Sequence, residues 1–433
     1  MTIQQLYAIY QQHPIISTDT RKIAPGSLFF ALKGDRFDAN TFALQALEAG
    51  ASFAIIDNAE YNKAENCILV DDVLTTLQSL AAYHRSQLNI PFICLTGSNG
   101  KTTTKELIKA VLSQHYKTYA TTGNLNNHIG VPLTILGIGD TFEMAVIEMG
   151  ANHQKEIEML CGISQPSHGL ITNVGKAHLE GFGGTEGVKK GKGELYDYLK
   201  QHNGVAFINR DSSVLIDMVA ERDLENAEYY GHDESNTISG ELLENSPYLK
   251  LKWKVTGDEY HVVQSQLTGA YNMDNILAAI CIGYYFKLSP DEINAGISGY
   301  QPQNNRSQIN KTESNTLICD YYNANPSSMF VAIENIGKLP EAHKVVILGD
   351  MFELGEESPA EHVSVVQKAL DVPIDERIFI GPEFYKQNGI VDATFYRTVE
   401  DAQNALKANP IKNSTVLIKG SRGMALERLV ELF

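Results

Sequence analysis

Little in this sequence ties it to an oxidising compartment or a membrane. Its five cysteines (Cys67, Cys94, Cys161, Cys281, Cys319) are odd in number, widely scattered and never at C-x-x-C spacing. That excludes a disulfide framework and a C-x-x-C redox or metal site. Cys94 and Cys319 stand inside apolar runs, where a free thiol serves as a small hydrophobe in a reducing compartment. The N-terminal MTIQQLYAIYQQ has neither the basic start nor the apolar core of a signal peptide, and no apolar run approaches membrane-spanning length. Export and membrane insertion are therefore not expected, and a cytoplasmic location is. Basic charge is also scarce, with 35 Lys and Arg against 52 Asp and Glu and a net charge of −17. This argues against a nucleic-acid or anionic-membrane partner, while leaving room for a local basic pocket. Internal repeats and low-complexity tracts are absent.

What is present is enough for several cores. A chain of 433 residues, 43% apolar, exceeds one ordinary domain. Residues 1–90 read as a small α/β unit, with strands in Ser27 to Leu32, Ser52 to Asp57 and Cys67 to Asp71 and helices in Thr41 to Ala49 and Val73 to Leu88. A joint is expected at Asn89 to Pro91. Residues 91–302 carry the strands Phe92 to Leu95, Met144 to Ile147, Gly169 to Val174 and Val205 to Ile208. The polar, alternating stretch from Tyr229 to Val263 reads as antiparallel strands on the flank. Residues 303–433 alternate strand and helix from LICD (Leu317 to Asp320) to TVLIKGS (Thr415 to Ser421) and a closing helix, the rhythm of a doubly wound sheet.

The densest chemistry lies in FICLTGSNGKTTTKE, Phe92 to Glu106. An apolar strand stops at a glycine turn, Lys101 follows a second glycine, and threonines open a helix. Backbone N–H groups at such a helix start face an anion, a lysine neutralises it and a hydroxyl can hold Mg²⁺, so a nucleoside triphosphate is expected. The general phosphate-loop pattern has a glycine where this chain has Leu95, so the loop is a shortened variant. Three successive threonines are poor helix formers and are unexplained by a plain Gly-Asn turn.

Other residues converge on the same edge. Glu148 closes an apolar strand, where a carboxylate facing the phosphate loop can hold Mg²⁺. His178 stands just past a strand end, and Lys192 lies in a glycine-punctuated run before a helix. By composition Lys189, Lys190 and Lys192 fit a solvated basic face as well as an anion and metal site. Asn124, Asn126, Asn127 and His128 form an amide-rich loop that suits either a phosphate, a polar substrate or a turn. Asn272 reads as a helix cap, and Asn275, one turn on, could address an adenine edge.

Nine phrases in order, from LTGSNGKTTTKE through GNLNNHIGVPLT, IEMGANHQKEI, NVGKAHLEGFGG, KGKGELYDYL, GAYNMDNILAAI, DYYNANPSSM and LGDMFELGEES to VLIKGSRGMALE, closely resemble the Mur ligases. TDTRKIAPGSLFFALKGDRFDANTF resembles the family's uridine-nucleotide-binding start. The resemblance implies an α/β chain of three domains: an N-terminal UDP-sugar domain (1–90), a central P-loop ATPase domain with a mainly parallel sheet (91–302) and a C-terminal Rossmann-like, doubly wound domain (303–433). NANPSSM and LGDMFELGE point within the family to ATP-driven joining of D-alanyl-D-alanine to UDP-MurNAc-tripeptide through an acyl phosphate, giving the pentapeptide precursor of peptidoglycan.

By the same resemblance Gly97, Ser98, Asn99, Gly100, Lys101, Thr102 and Thr103 hold the triphosphate. Thr102 and Glu148 hold one Mg²⁺ and His178 a second, and Lys192 matches the lysine that the family carbamylates, which would make it a carboxylate-like metal ligand. Asn275, Arg306 and Asp320 fall near the nucleotide. Asn323 and Asn325 are candidates for positioning the dipeptide or the nucleotide, Asn124 and Asn127 for substrate contact, and Thr20 and Arg21 for the UDP moiety. Ala39-Asn40 stands where Gly-His is commoner. The implied cofactors are ATP and Mg²⁺, the partners are small molecules, and a monomer is expected.

Overall fold

The computed structural model describes residues 1–34, 36–303 and 305–433. Three main sheets follow one another along the chain. The first has four parallel strands in the order Ile16–Ser17, Leu28–Phe30, Phe53–Ile56, Cys67–Leu69. Leu28, Phe29 and Phe30 are all fully buried because the sheet is covered on both faces. The helix Val73–Gln87 starts at Asp72, whose side chain accepts the N–H of Thr75, and it packs the first sheet against the helices Gly130–Leu136 and Glu156–Ser164. Arg85 near its end lies 3.8 Å over the ring of Phe92 and donates to the carbonyls of Ser164, Gln165 and Leu88. One cationic side chain thus ties the first unit to the root of the phosphate-loop strand.

The central sheet has nine strands, in the order His261–Gln264, Lys250–Val255, Ile238–Glu244, Ala227–Gly231, Val205–Asn209, His168–Ile171, Phe92–Thr96, Met144–Glu148, Thr118–Ala120. The seven from Ile238–Glu244 onward are mutually parallel. Phe92–Thr96 is buried at every position, as a central parallel strand must be. The stretch from Tyr229 to Val263 departs from its expected form. Tyr229 lies in a parallel strand, antiparallel pairing begins only at Ile238–Glu244 with Lys250–Val255, and these strands extend the same sheet.

The helix Thr185–Gln201 is the larger correction, since Lys192 lies in its interior and not ahead of it. Its glycines read as breakers because they disfavour helix in isolation. Here close packing requires them: a Cβ at Gly187 would sit 1.8 Å from the carbonyl oxygen of Phe182, and one at Gly191 2.5 Å from the Phe182 ring.

The C-terminal sheet has six strands, Gln308–Lys311, Thr316–Asp320, Thr415–Lys419, Lys344–Gly349, Glu376–Ile380, Thr394–Tyr396, parallel except for the first. Buried clusters around Met329 and Ile333 on one side and Val345 and Leu429 on the other make it doubly wound. The expected closing helix is 3-10, over Arg422–Met424 and Leu426–Leu432. All five cysteines are free and buried. Among the described residues no helix is long and apolar enough to cross a membrane.

Candidate active site

A cleft of about 770 Å³ opens where the carboxyl ends of central-sheet strands meet the C-terminal sheet, within the size range of small-molecule sites. The phosphate-loop helix Lys101–Leu112 begins after Gly100, which adopts φ +79° and supplies no capping side chain, so the first-turn N–H groups have no side-chain cap. A Cβ at Gly100 would lie 2.6 Å from Asn275 Oδ1, which is why glycine stands there. Lys101 is half-buried, and desolvation lowers its pKa to about 8 against the opposing pull of Glu148. Its ammonium donates to the carbonyls of Gly97 (2.6 Å) and Ser98 (3.2 Å).

Glu148 is 1% exposed. Its N–H donates to Thr121 Oγ1, and its Oε1 accepts from Asn126 Nδ2 at 2.8 Å. Oε2 is buried with no hydrogen-bond partner among the described residues. A buried anionic oxygen left open in this way is costly unless a cation completes it, so the donor set of Glu148 and Thr102 at the cleft fits a hard divalent metal.

Lys192, also 1% exposed, has no carboxylate partner among the described residues. Among them its amine reaches the carbonyl of Ala151, at 3.4 Å, and the ring of Phe182, 5.0 Å away. Burial first, and then the nearby Lys101, push its pKa well below the usual lysine value, which favours the neutral amine. His178, in left-handed backbone at φ +52°, meets the carboxylate of Glu353 from the C-terminal unit. Burial and the two lysines lower its pKa, opposed by Glu353.

The structure sorts the asparagines that composition left together. Asn126 holds Glu148, whereas Asn127 Oδ1 accepts the N–H groups of Ile129 and Gly130 and caps a helix; Asn124 lines the cleft. Asn272 does not cap through its side chain, which donates to the Thr268 carbonyl and accepts from Asn275 Nδ2. Asn275 in turn accepts from Thr104 Oγ1 beneath the phosphate loop. From the C-terminal unit, Arg306 stacks 3.9 Å over Tyr322, and Asp320 accepts from Lys419 at 2.7 Å, all at the cleft. Asn323 lines the cleft too, and Asn325 caps the helix Pro326–Lys338.

Thr20 and Arg21 are not brought to this cleft. They form a 3-10 turn in the first unit, where the exposed Arg21 pairs with Asp19. Asn40, at the departure from Gly-His, is fully buried and bonded to Asp38 and Asp57. Sequence reasoning passed over Lys419 and Glu353. Lys419 could have been found as a lone lysine ending the buried run TVLI; Glu353 gives no such signal.

Family models for the Mur ligase family catalytic domain, the Mur ligase middle domain and the Mur ligase glutamate ligase domain match residues 14–85, 95–283 and 305–422. The chain belongs to the Mur ligase family. Among Mur ligases it is 36% identical to the UDP-N-acetylmuramoyl-tripeptide--D-alanyl-D-alanine ligase of Bacillus subtilis, covering 98% of this chain and 94% of that one. The enzyme of the same name from Escherichia coli is 35% identical, over 96% and 92% of the two chains. The MurF crystal structure from Acinetobacter baumannii superposes with a TM-score of 0.89 at 30% identity, over 99% and 98% of the chains. The MurF ligase of Thermotoga maritima in complex with ADP gives 0.86 at 25% identity, over 98% and 97%.

Proposed function

We propose that this Mur ligase joins D-alanyl-D-alanine to UDP-MurNAc-tripeptide with ATP, as a cytoplasmic monomer whose three sheets form domains 1–90, 91–302 and 303–433. The near full-length similarity to ligases of that name supports the substrates, and completion of the cleft within one chain supports the monomer. One observation carries the chemistry: Lys101 and the buried Glu148 line the cleft where the two sheets meet, and the buried Lys192 lies close enough to Lys101 to feel its charge.

A carboxylate is a poor electrophile until it carries a leaving group. The phosphate loop holds ATP so that the tripeptide carboxylate oxygen attacks the γ-phosphorus in line, ADP leaves, and an acyl phosphate forms. Lys101 screens the repulsion between phosphate and carboxylate. Thr102, Glu148, His178 and a carbamylated Lys192 would hold Mg²⁺, which when bound supplies further neutralisation of that charge. The neutral amine of Lys192 adds to CO₂ and loses a proton to become the carbamate. Asn124 and Asn323 contact the peptide substrates; Asn275, Arg306 and Asp320 place the nucleotide. Thr20 and Arg21 would meet the UDP end in the first domain.

Phosphate release should require ATP, UDP-MurNAc-tripeptide and D-alanyl-D-alanine together, with pentapeptide as product. No release with all three present would overturn the reading. Intact-protein mass spectrometry on gently prepared enzyme should show the mass of one CO₂ on Lys192; Lys192→Ala should abolish ligation while ATP still binds.

A further inference from the structure

The phosphate loop and the start of a C-terminal helix are joined by a closed ring of three hydrogen bonds. Asn99 donates from Nδ2 to Ser327 Oγ at 2.8 Å, Ser327 donates to Asn325 Oδ1 at 2.9 Å, and Asn325 donates from Nδ2 to Asn99 Oδ1 at 2.8 Å. Each member gives one bond and accepts one, so the three polarise one another and the loss of any one opens the ring.

Both sides of the ring are anchored. On the central side the N–H of Asn99 donates to Asn173 Oδ1 at 3.0 Å, and its carbonyl accepts from Thr172 Oγ1 at 2.6 Å and Asn173 Nδ2 at 3.0 Å. The backbone of Asn99 is therefore fixed to its own sheet, while its side chain bonds across the seam. On the other side Asn325 Oδ1 also accepts the N–H of Ser328 at 2.9 Å and so caps its helix. Gly175 completes the fit: a Cβ there would lie 2.8 Å from Ser327 Oγ and 3.5 Å from Asn99 Nδ2.

We propose that Asn99 is a positioning residue. Through the ring it sets the distance between the phosphate loop and the segment Asn323 to Asn325, so that amide formation depends on the ring in addition to the part Asn99 takes in holding the triphosphate. This rests on the reading under Proposed function, in which Asn323 contacts the peptide substrates. In the dependent step the amine nitrogen bonds to the acyl carbon and the bond from that carbon to the phosphate oxygen breaks. Phosphate leaves with the electron pair, and the nitrogen's proton ends on it. Misplacement of two reacting groups by an ångström is costly to such a step, on the order of 100-fold.

The test measures pentapeptide formation and nucleotide affinity for the unaltered chain, Asn99→Ala, Ser327→Ala, their double variant and Gly175→Ala. Ser327→Ala, outside the phosphate loop, should lower kcat for ligation roughly 10- to 100-fold with ATP affinity held within about 2-fold, and Asn99→Ala should lower kcat at least as far. The double variant should be no worse than the poorer single one, because a ring already open cannot be opened again. Gly175→Ala, which wedges the ring from outside, should match Ser327→Ala. Multiplying effects in the double variant, ATP affinity lost in step with ligation in Ser327→Ala, or full activity in Gly175→Ala would overturn the proposal. Should Asn99→Ala fail to fold, Ser327→Ala and Gly175→Ala decide the same question from the other side. A lack of product from the unaltered chain would defeat the functional reading; product there with a contrary variant pattern would defeat only this inference.

Discussion

The central and C-terminal sheets each bury a carboxylate at the carboxyl end of an apolar strand, and they treat it in opposite ways. Glu148, after MAVI, has one oxygen on Asn126 and the other without a partner among the described residues. Asp350, after VVILG, has both oxygens filled: Oδ2 accepts the N–H of Glu383, Oδ1 that of Phe384, and His362 stands 3.6 Å away. His362 is itself engaged, accepting the N–H of Met351. Gly381 at φ +128° leaves space for the Asp350 carboxylate, which a Cβ there would meet at 2.3 Å. Two similar sequence signals thus become a candidate ligand and a structural strut. The difference lies in whether neighbouring donors use up the lone pairs.

This contrast predicts opposite outcomes for the two carboxylates. Glu148→Gln keeps the shape and the Asn126 contact but removes the charge, so ligation should fall by about 1000-fold, the scale of losing a central electrostatic contact. The thermal midpoint should hold, because a buried, half-unpartnered carboxylate is being made neutral. Phosphate release and calorimetry on one preparation check both halves; unfolding without selective loss of turnover would break the distinction.

Asp350→Ala should act the other way, costing roughly 3–5 kcal/mol by stranding two N–H groups. Denaturant titration followed by limited proteolysis of the C-terminal unit measures it. A stable but inactive Asp350→Ala would show that its satisfied hydrogen bonds do not define a structural role.

The smallest effect tests a partnered polar group inside the central unit. His168 packs against Phe207, Tyr285 and Phe286 and pairs with Ser167, and burial lowers its pKa from 6.5 to about 4. Between those values the unfolded chain takes up a proton that the folded chain refuses. Stability should therefore fall as pH drops from 6.5 to about 4 and lose nothing more from this group below that. The change is at most roughly 3 kcal/mol. Comparing the pH dependence of unfolding with that of His168→Phe isolates it; identical slopes would remove His168 from the set.

Much of the site was legible because local chemistry requires it. A strand, two glycines, Lys101 and a helix start within ten residues mark a candidate anion cradle before any tertiary contact forms, and Glu148 announces itself as a charge ending an apolar run. The strand–helix alternation after residue 303 likewise carries its doubly wound sheet in its period. Sequence order and spacing determined the three successive α/β units, the cradle and the family.

Only the tertiary structure decided which polar groups were left open. Asn124, Asn126 and Asn127 are alike in the chain, yet packing sends one to Glu148 and another to a helix cap. The glycines around Lys192 read as a loop until Phe182 lies close enough to forbid side chains and keep them helical. Asn99 shows nothing of its bond to Ser327, 228 positions on. Hydrogen-bond satisfaction and close approach are properties of neighbours in space, and distant strands and helices supply those neighbours only once the sheets have packed.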